Sequence, residues 1–214
     1  MKNRIIFAAI IISAFCFSLI ILGKSHTLDN KISETDSFYC RVGDFPKQDV
    51  SAEESKELLY MREEEKMAHD FYSLMYEKWG LRPFGNIKEA EARHMQAVKT
   101  ILDRYSISDP VTTSEYGVFS SEKIKSLYDN FLRQGNFSAK DALLAAAELE
   151  EVDIVDLKKG IKESDNDDIR FVYNNLVRGS ENHLRAFVRN LGKYGTTYSP
   201  KHLDRETYND ILGL

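Results

Sequence analysis

Four stretches of this chain read as amphipathic helices, and each carries an acid or an imidazole on the face that its neighbours make apolar. Nothing else in the sequence constrains the fold as tightly. A carboxylate buried alone on such a face costs several kcal/mol unless a cation or a full set of hydrogen bonds offsets it. The four faces therefore have to meet.

Residues at i±3, i±4 and i±7 show which way each group points. Glu64 has Tyr60, Met61, Met67, Ala68 and Phe71 around it, and Glu65 has Met61, Ala68 and Tyr72 but also Arg62 and His69, nearer the flank. Glu63 points most toward solvent, and His69 reads as a flank histidine bonded to Glu65. Glu91 and His94 share a face with Ile87, Ala90, Val98 and Ile101, at the i, i+3 spacing that lets both reach one metal or two adjacent ones. Glu151 is flanked by Leu144, Ala147, Ile154 and Val155, with Glu148 on the same stripe. Glu150 lies near Ala146, Ala147, Ile154 and Leu157. His183 sits among Leu176, Ser180, Ala186 and Phe187.

Capping signals delimit the helices. Ser51-x-x-Glu54 is a capping box and predicts a helix over 51–78, closed by Gly80 and Pro83. Asn86-x-x-Glu89 opens a second helix, to about 105, and Asp109-Pro110 begins a Thr/Ser/Gly-rich interruption. A short helix over 121–133, a long one over 138–162 begun by Ser138-x-x-Asp141, another over 167–191 and a tail helix over 205–212 complete the set. The fold class is all-α: a four-helix bundle whose second and third long helices are joined by a long connection with its own short helix. That length permits a crossover along the bundle, as in ferritin-like topology.

Met1-Lys-Asn-Arg4 is basic, and residues 5–22 are almost unbroken apolar sequence. A basic start before such a run reads as an export signal, and the weak cleavage site near Ile21-x-Gly23 favours an uncleaved anchor over a cleaved peptide. The domains expected are 1–24 as signal anchor or signal peptide, 25–50 as polar linker and 51–214 as the helical body. Positive charge at the N-terminal side places the body outside: membrane-anchored facing outward, or periplasmic or extracellular if the signal is cleaved. The net charge is −5, and three of the basic residues belong to the export segment, so the body is more acidic still. Phosphate neutralisation needs a basic patch, so nucleic acid is excluded as a partner. Cys16 and Cys40 are too few for a thiolate zinc site, and Cys40 reads as an inert linker residue.

In chain order the inward groups run Glu, Glu-x-x-His, Glu, Ser-x-x-His. Ferritin-like di-iron and di-manganese proteins carry Glu, Glu-x-x-His, Glu, Glu-x-x-His. The strings LLYMREEEKMAHDFY, FGNIKEAEARHM, LEEVDIVDL and GSENHLRAF, with the tail TYSPKHLDRETYNDIL, resemble a prokaryotic ferritin-like family known as domain of unknown function 2202, over residues 51–212. The resemblance implies a ferritin-like bundle and brings no established activity. It implies metal ligands at Glu64 or Glu65, at Glu91 and His94, at Glu150 or Glu151, and at His183. Ser180 departs from the general pattern, and Glu181 cannot substitute, being turned about 160° from His183. One carboxylate fewer implies a mononuclear site, an asymmetric pair, or a lost site.

The function expected is an exported, membrane-tethered domain binding iron or manganese through Glu and His. Oxygen and imidazole donors without thiolate suit Fe(II), Mn(II) or Zn. With two irons, reaction with oxygen or peroxide is the natural chemistry, which would make the chain a di-metal oxidase or peroxidase. Tyr60, Tyr72 and Tyr173 read first as core-packing residues, and second as groups close enough to hydrogen-bond the ligands or donate electrons. The redox partner is unknown, and a homo-oligomer is open. The alternative is a metal-free helical bundle of the cell envelope whose inward acids and histidines form a polar network for contacts.

Overall fold

The computed structural model describes residues 41–214, so the expected export segment, Cys40 and most of the expected linker lie outside the described residues. Helix α1 spans Ala52–Trp79, α2 Arg82–Tyr105, α3 Glu122–Gly135, α4 Ala139–Glu163, α5 Asp167–Gly192 and α6 Arg205–Leu212. Among the described residues there is no strand, and no helix is long and apolar enough to cross a membrane.

Local chemistry sets most boundaries. Ser51 Oγ accepts from Glu54 N at 3.1 Å and Glu54 Oε2 accepts from Ser51 N at 2.9 Å, the reciprocal capping box. Gly80 ends α1 in the left-handed conformation at φ 64°. The second helix begins at Arg82, four residues before the predicted Asn86, and Pro83 lies inside its first turn. Proline lacks the N–H that a first turn leaves unused anyway, so here it starts a helix rather than closing one.

α1 packs on α2 and α4 on α5, while α1–α4 and α2–α5 contacts close the ring. Glu54, at the start of α1, is bonded by Ser164 just past α4, whereas Tyr72 further along α1 bonds Glu150 earlier in α4, so these two helices run in opposite senses. Tyr105 with Asp168 and Phe84 with Phe187 set the same relation for α2 and α5. α3 packs on α1 and α4.

The core falls into two apolar clusters along the bundle. One holds Leu58, Met61, Val98, Ile101, Leu157, Val172 and Leu176; the other holds Met67, Phe71, Tyr72, Phe84, Ala146, Leu184 and Phe187. On α1, α2 and α5 the change from one cluster to the other falls at Glu64–Glu65, Glu91–His94 and Ser180–His183, so a polar layer divides the core.

Glu63 is buried, contrary to its expected place in solvent. It accepts from the backbone N–H groups of Ser120 and Ser121, the second at 2.9 Å. Arg62 pairs with Asp109 at 3.0 Å, and Lys66 reaches Asp70 at 2.5 Å and the Glu115 carbonyl at 2.8 Å. The connection between α2 and α3 thus lies across the outer face of α1, and that face is polar because it binds a chain segment. Residues 41–50 also dock on the body: Val42 is buried, the rings of Phe45 and Phe171 lie 5.2 Å apart, and Arg104 donates to the Phe45 carbonyl at 2.6 Å.

Candidate metal centre

The polar layer brings five of the singled-out residues together. His94 Nδ1 lies 2.8 Å from Glu91 Oε2 and 3.3 Å from Glu65 Oε2. His183 Nδ1 lies 2.9 Å from Glu91 Oε1 and 3.5 Å from Glu150 Oε1. Two groups of three donors result, Glu65–Glu91–His94 and Glu91–Glu150–His183, with the donor atoms of each within 4.8 Å of one another. Glu91 belongs to both, giving one oxygen to each side. The two imidazoles stack with centroids 5.4 Å apart.

These contacts are close but poorly aligned for hydrogen bonds. Neither His94 Nδ1, His183 Nδ1, Glu91 Oε1 nor Glu65 Oε1 has a hydrogen-bond partner, although each atom is buried. Buried polar groups are ordinarily paired. Donor atoms that converge without hydrogen-bond alignment are what a cation between them would satisfy. Carboxylates and neutral imidazoles are also the donor types that iron and manganese take, so the residues fit the implied metals.

Neighbours orient the donors. Tyr72, buried in the aromatic cluster with Phe84 and Phe187, donates its hydroxyl to Glu150 Oε1 at 2.6 Å. His94 sets the Nε2–Cε1 edge of its ring against α5 where that helix has no side chain: a Cβ on Gly179 would meet His94 Nε2 at 2.5 Å. The glycine of Gly179-Ser180-x-x-His183 is thus the seat of the other histidine.

The electrostatics of the layer follows from crowding acids around two imidazoles. Burial disfavours charge on Glu91, but His183 and then His94 outweigh it and hold its carboxyl below the usual range. Burial opposes protonation of His183, yet Glu91 and Glu150 push it up to about 10, and Glu91 and Glu65 hold His94 well above its ordinary value. Burial pushes Glu65 up to about 7 against the pull of His94, and raises Glu150 as well. Protons on the imidazoles therefore supply the positive charge that the acids require when no cation does.

Glu64 and Glu151 are not among these donors. Glu64 is 1% exposed with neither oxygen bonded, and burial, then Asp156 and Glu65, hold its carboxyl well above the usual range. Glu151 Oε2 accepts the backbone N–H groups of Lys201, His202 and Leu203 at 2.7–2.9 Å, fastening the tail to α4. Glu148 pairs with Lys201 at the same tail. His69 contacts Asp70 at 3.2 Å rather than Glu65. Tyr173 is buried and Tyr60 half-buried, and the hydroxyl oxygen of each is buried without a hydrogen-bond partner.

One group absent from the sequence-based candidates is Asp153, 5% exposed, which accepts a hydrogen bond from Ser180. A signal for it existed: Asp153 follows Glu150 at the spacing that joins Glu91 to His94.

The family described as "Uncharacterized protein domain (DUF2202)" matches residues 54–213. The uncharacterized protein MJ0754 of Methanocaldococcus jannaschii is 48% identical over 171 residues, covering 80% of this chain and 92% of the relative. The crystal structure of that hypothetical protein superposes with a TM-score of 0.78 at 48% identity, covering 80% of this chain and 98% of the other.

Proposed function

The chain belongs to the DUF2202 family, and from that premise we propose that it is a ferritin-like protein holding a pair of divalent iron or manganese ions. The observation that carries this reading is Glu91, shared by two groups of buried donors whose nitrogens and oxygens converge without hydrogen-bond alignment. The helix senses support the ferritin-like topology. α2 and α4 both run opposite to α1, so the segment joining them has to cross the length of the bundle, and its residues are seen lashed along α1.

Glu65 and His94 would hold one ion, Glu150 and His183 the other, and Glu91 would lie between them. Such a pair, when it is iron, supplies oxidation by oxygen or peroxide. The chain's own residues do the rest. Tyr72 keeps Glu150 turned inward, Gly179 seats His94, and the apolar clusters above and below the layer exclude water. His94 and His183 carry raised pKa values, so to hold a cation they would have to give up their protons, and binding would strengthen as pH rises. Export and tethering through residues 1–24 complete the reading, on the strength of their basic-then-apolar pattern alone.

Elemental mass spectrometry of the full chain, purified in detergent without chelators or a metal-binding tag, tests this. About two iron or manganese ions per chain, lost in Glu91→Ala, is the expected result. No metal, even after anaerobic Fe(II) addition, would sink the reading. The acid–imidazole layer would then be a proton-balanced network in a bundle built for contacts.

A further inference from the structure

The ferritin-like pattern supplies four carboxylates and two imidazoles, and the site as described has three carboxylates: Glu65, Glu91 and Glu150. The fourth is absent from its usual helix, where Ser180 stands three residues before His183. Ser180 is fully buried, and its hydroxyl donates to Asp153 Oδ2 at 2.5 Å, with the Leu176 carbonyl oxygen 3.0 Å away. So the small residue in the acidic position does not leave a void. An acid from the neighbouring helix fills it.

Asp153 has the properties of a ligand in waiting. It lies one turn past Glu150 on the same face of α4, because residues three apart on a helix are neighbours. Its other oxygen, Oδ1, is buried and has no hydrogen-bond partner. Burial first, and then the charges of Glu65, Glu64 and Glu150, hold its carboxyl well above the usual range. It belongs to neither compact donor group, and Ser180 is its sole hydrogen-bonding neighbour among the described residues.

Resting on the metal-binding reading above, we propose that Asp153 is the fourth carboxylate of the pair, relocated from α5 to α4, and that Ser180 is the positioning residue that holds it. Two consequences follow. The donor set returns to four carboxylates and two imidazoles, and the four negative charges balance two divalent cations. The apparent defect at Ser180 is then a change of address rather than the loss of a position.

The test is anaerobic Fe(II) titration of the full chain, read as ions bound per chain by elemental mass spectrometry after desalting, with melting of the metal-free protein as a check on folding. The wild type should hold about two ions and Asp153→Asn about one. Ser180→Ala should keep the first ion, weaken the second about tenfold, and leave the metal-free melting temperature within a few degrees. Moving the acid back, with Asp153→Ser and Ser180→Glu together, should restore about two ions, and this variant decides the matter if Asp153→Asn does not fold. Two ions bound by Asp153→Asn with wild-type affinity would overturn the relocation while leaving the metal site standing. No ion in the wild type would overturn both.

Discussion

Gly179→Ala sets two effects of comparable size against each other, and the structure decides between them. In an accommodating helix the change should stabilise by about 1 kcal/mol, because glycine spends more backbone entropy than alanine. Here the added Cβ would stand 2.5 Å from His94 Nε2 and 2.6 Å from Cε1, where ordinary contact begins at 3.4 Å. The ring must retreat by about 0.9 Å, and overpacking of that kind costs about 1–3 kcal/mol. Net loss of metal-free stability should be about 0–2 kcal/mol. The effect on metal binding is larger, because any retreat of the ring shifts Nδ1, which now lies 3.3 Å from Glu65 and 2.8 Å from Glu91, out of that arrangement. Misorienting one ligand typically lowers affinity about 10- to 100-fold.

The assay is a double-mutant cycle, with Fe(II) affinity and urea unfolding measured for the wild type, Gly179→Ala, His94→Ala and the double variant. Removing the imidazole removes the obstacle, so Gly179→Ala should become stabilising by about 1 kcal/mol in the His94→Ala background. If Gly179→Ala stabilises equally in both backgrounds and leaves Fe(II) binding untouched, the glycine is not the seat of His94 and the packing argument fails.

Three further outcomes are expected. Glu151→Ala strips the acceptor from three backbone N–H groups of the tail and should cost about 2–3 kcal/mol in urea unfolding, with faster proteolysis beyond residue 196. Bound metal should be unchanged, and its loss would make Glu151 a ligand. Lys66→Met leaves buried Asp70 without its cation and should cost about 3–5 kcal/mol, much of it regained when Asp70→Asn is added. Hydrogen exchange should locate the loosening in residues 106–121. Glu54, bonded by Ser51, Ser164 and Asn166, has its carboxyl lowered to about 2 from 4.5 despite burial. A depressed acid stabilises the fold above its unfolded pKa, so this contribution is full above about pH 4.5 and fades as pH falls toward 2. Acid titration of Glu54→Gln should show a shallower loss of stability across that window than the wild type.

How far this fold and site were legible in sequence depended on how local the determining chemistry was. The caps at Ser51 and Ser138 lie within one turn of the helices they start, so the boundaries follow directly. Pro83 misled because one residue both ends and begins helices, and only the backbone around it distinguishes the roles. Glu63 misled for a longer-range reason: its partners, Ser120 and Ser121, are more than fifty residues away, and no periodicity announces a segment crossing a helix face. Glu64 and Glu65, or Glu150 and Glu151, are adjacent residues about 100° apart, so both of each pair can look inward on a helix buried almost all round. What separates them is the neighbouring partner: His94 beside Glu65, Tyr72 and His183 beside Glu150, and the tail's N–H groups beside Glu151.

Asp153 escapes a sequence pattern for the complementary reason. Pattern matching seeks an acid at a fixed place on a fixed helix, whereas the physical requirement is for charge and donor atoms in a layer. A layer bounded by two apolar clusters does not depend on which helix supplies an oxygen, provided that its charge is balanced. Relocation from α5 to α4 requires only that one site lose bulk where the other extends, and Ser180 facing Asp153 has that complementarity. The hydroxyl then matters beyond its size, because an alanine there would leave both carboxylate oxygens of Asp153 unpaired. Ser180→Ala therefore separates an acid that is merely accommodated in the layer from one that is held in place for a cation.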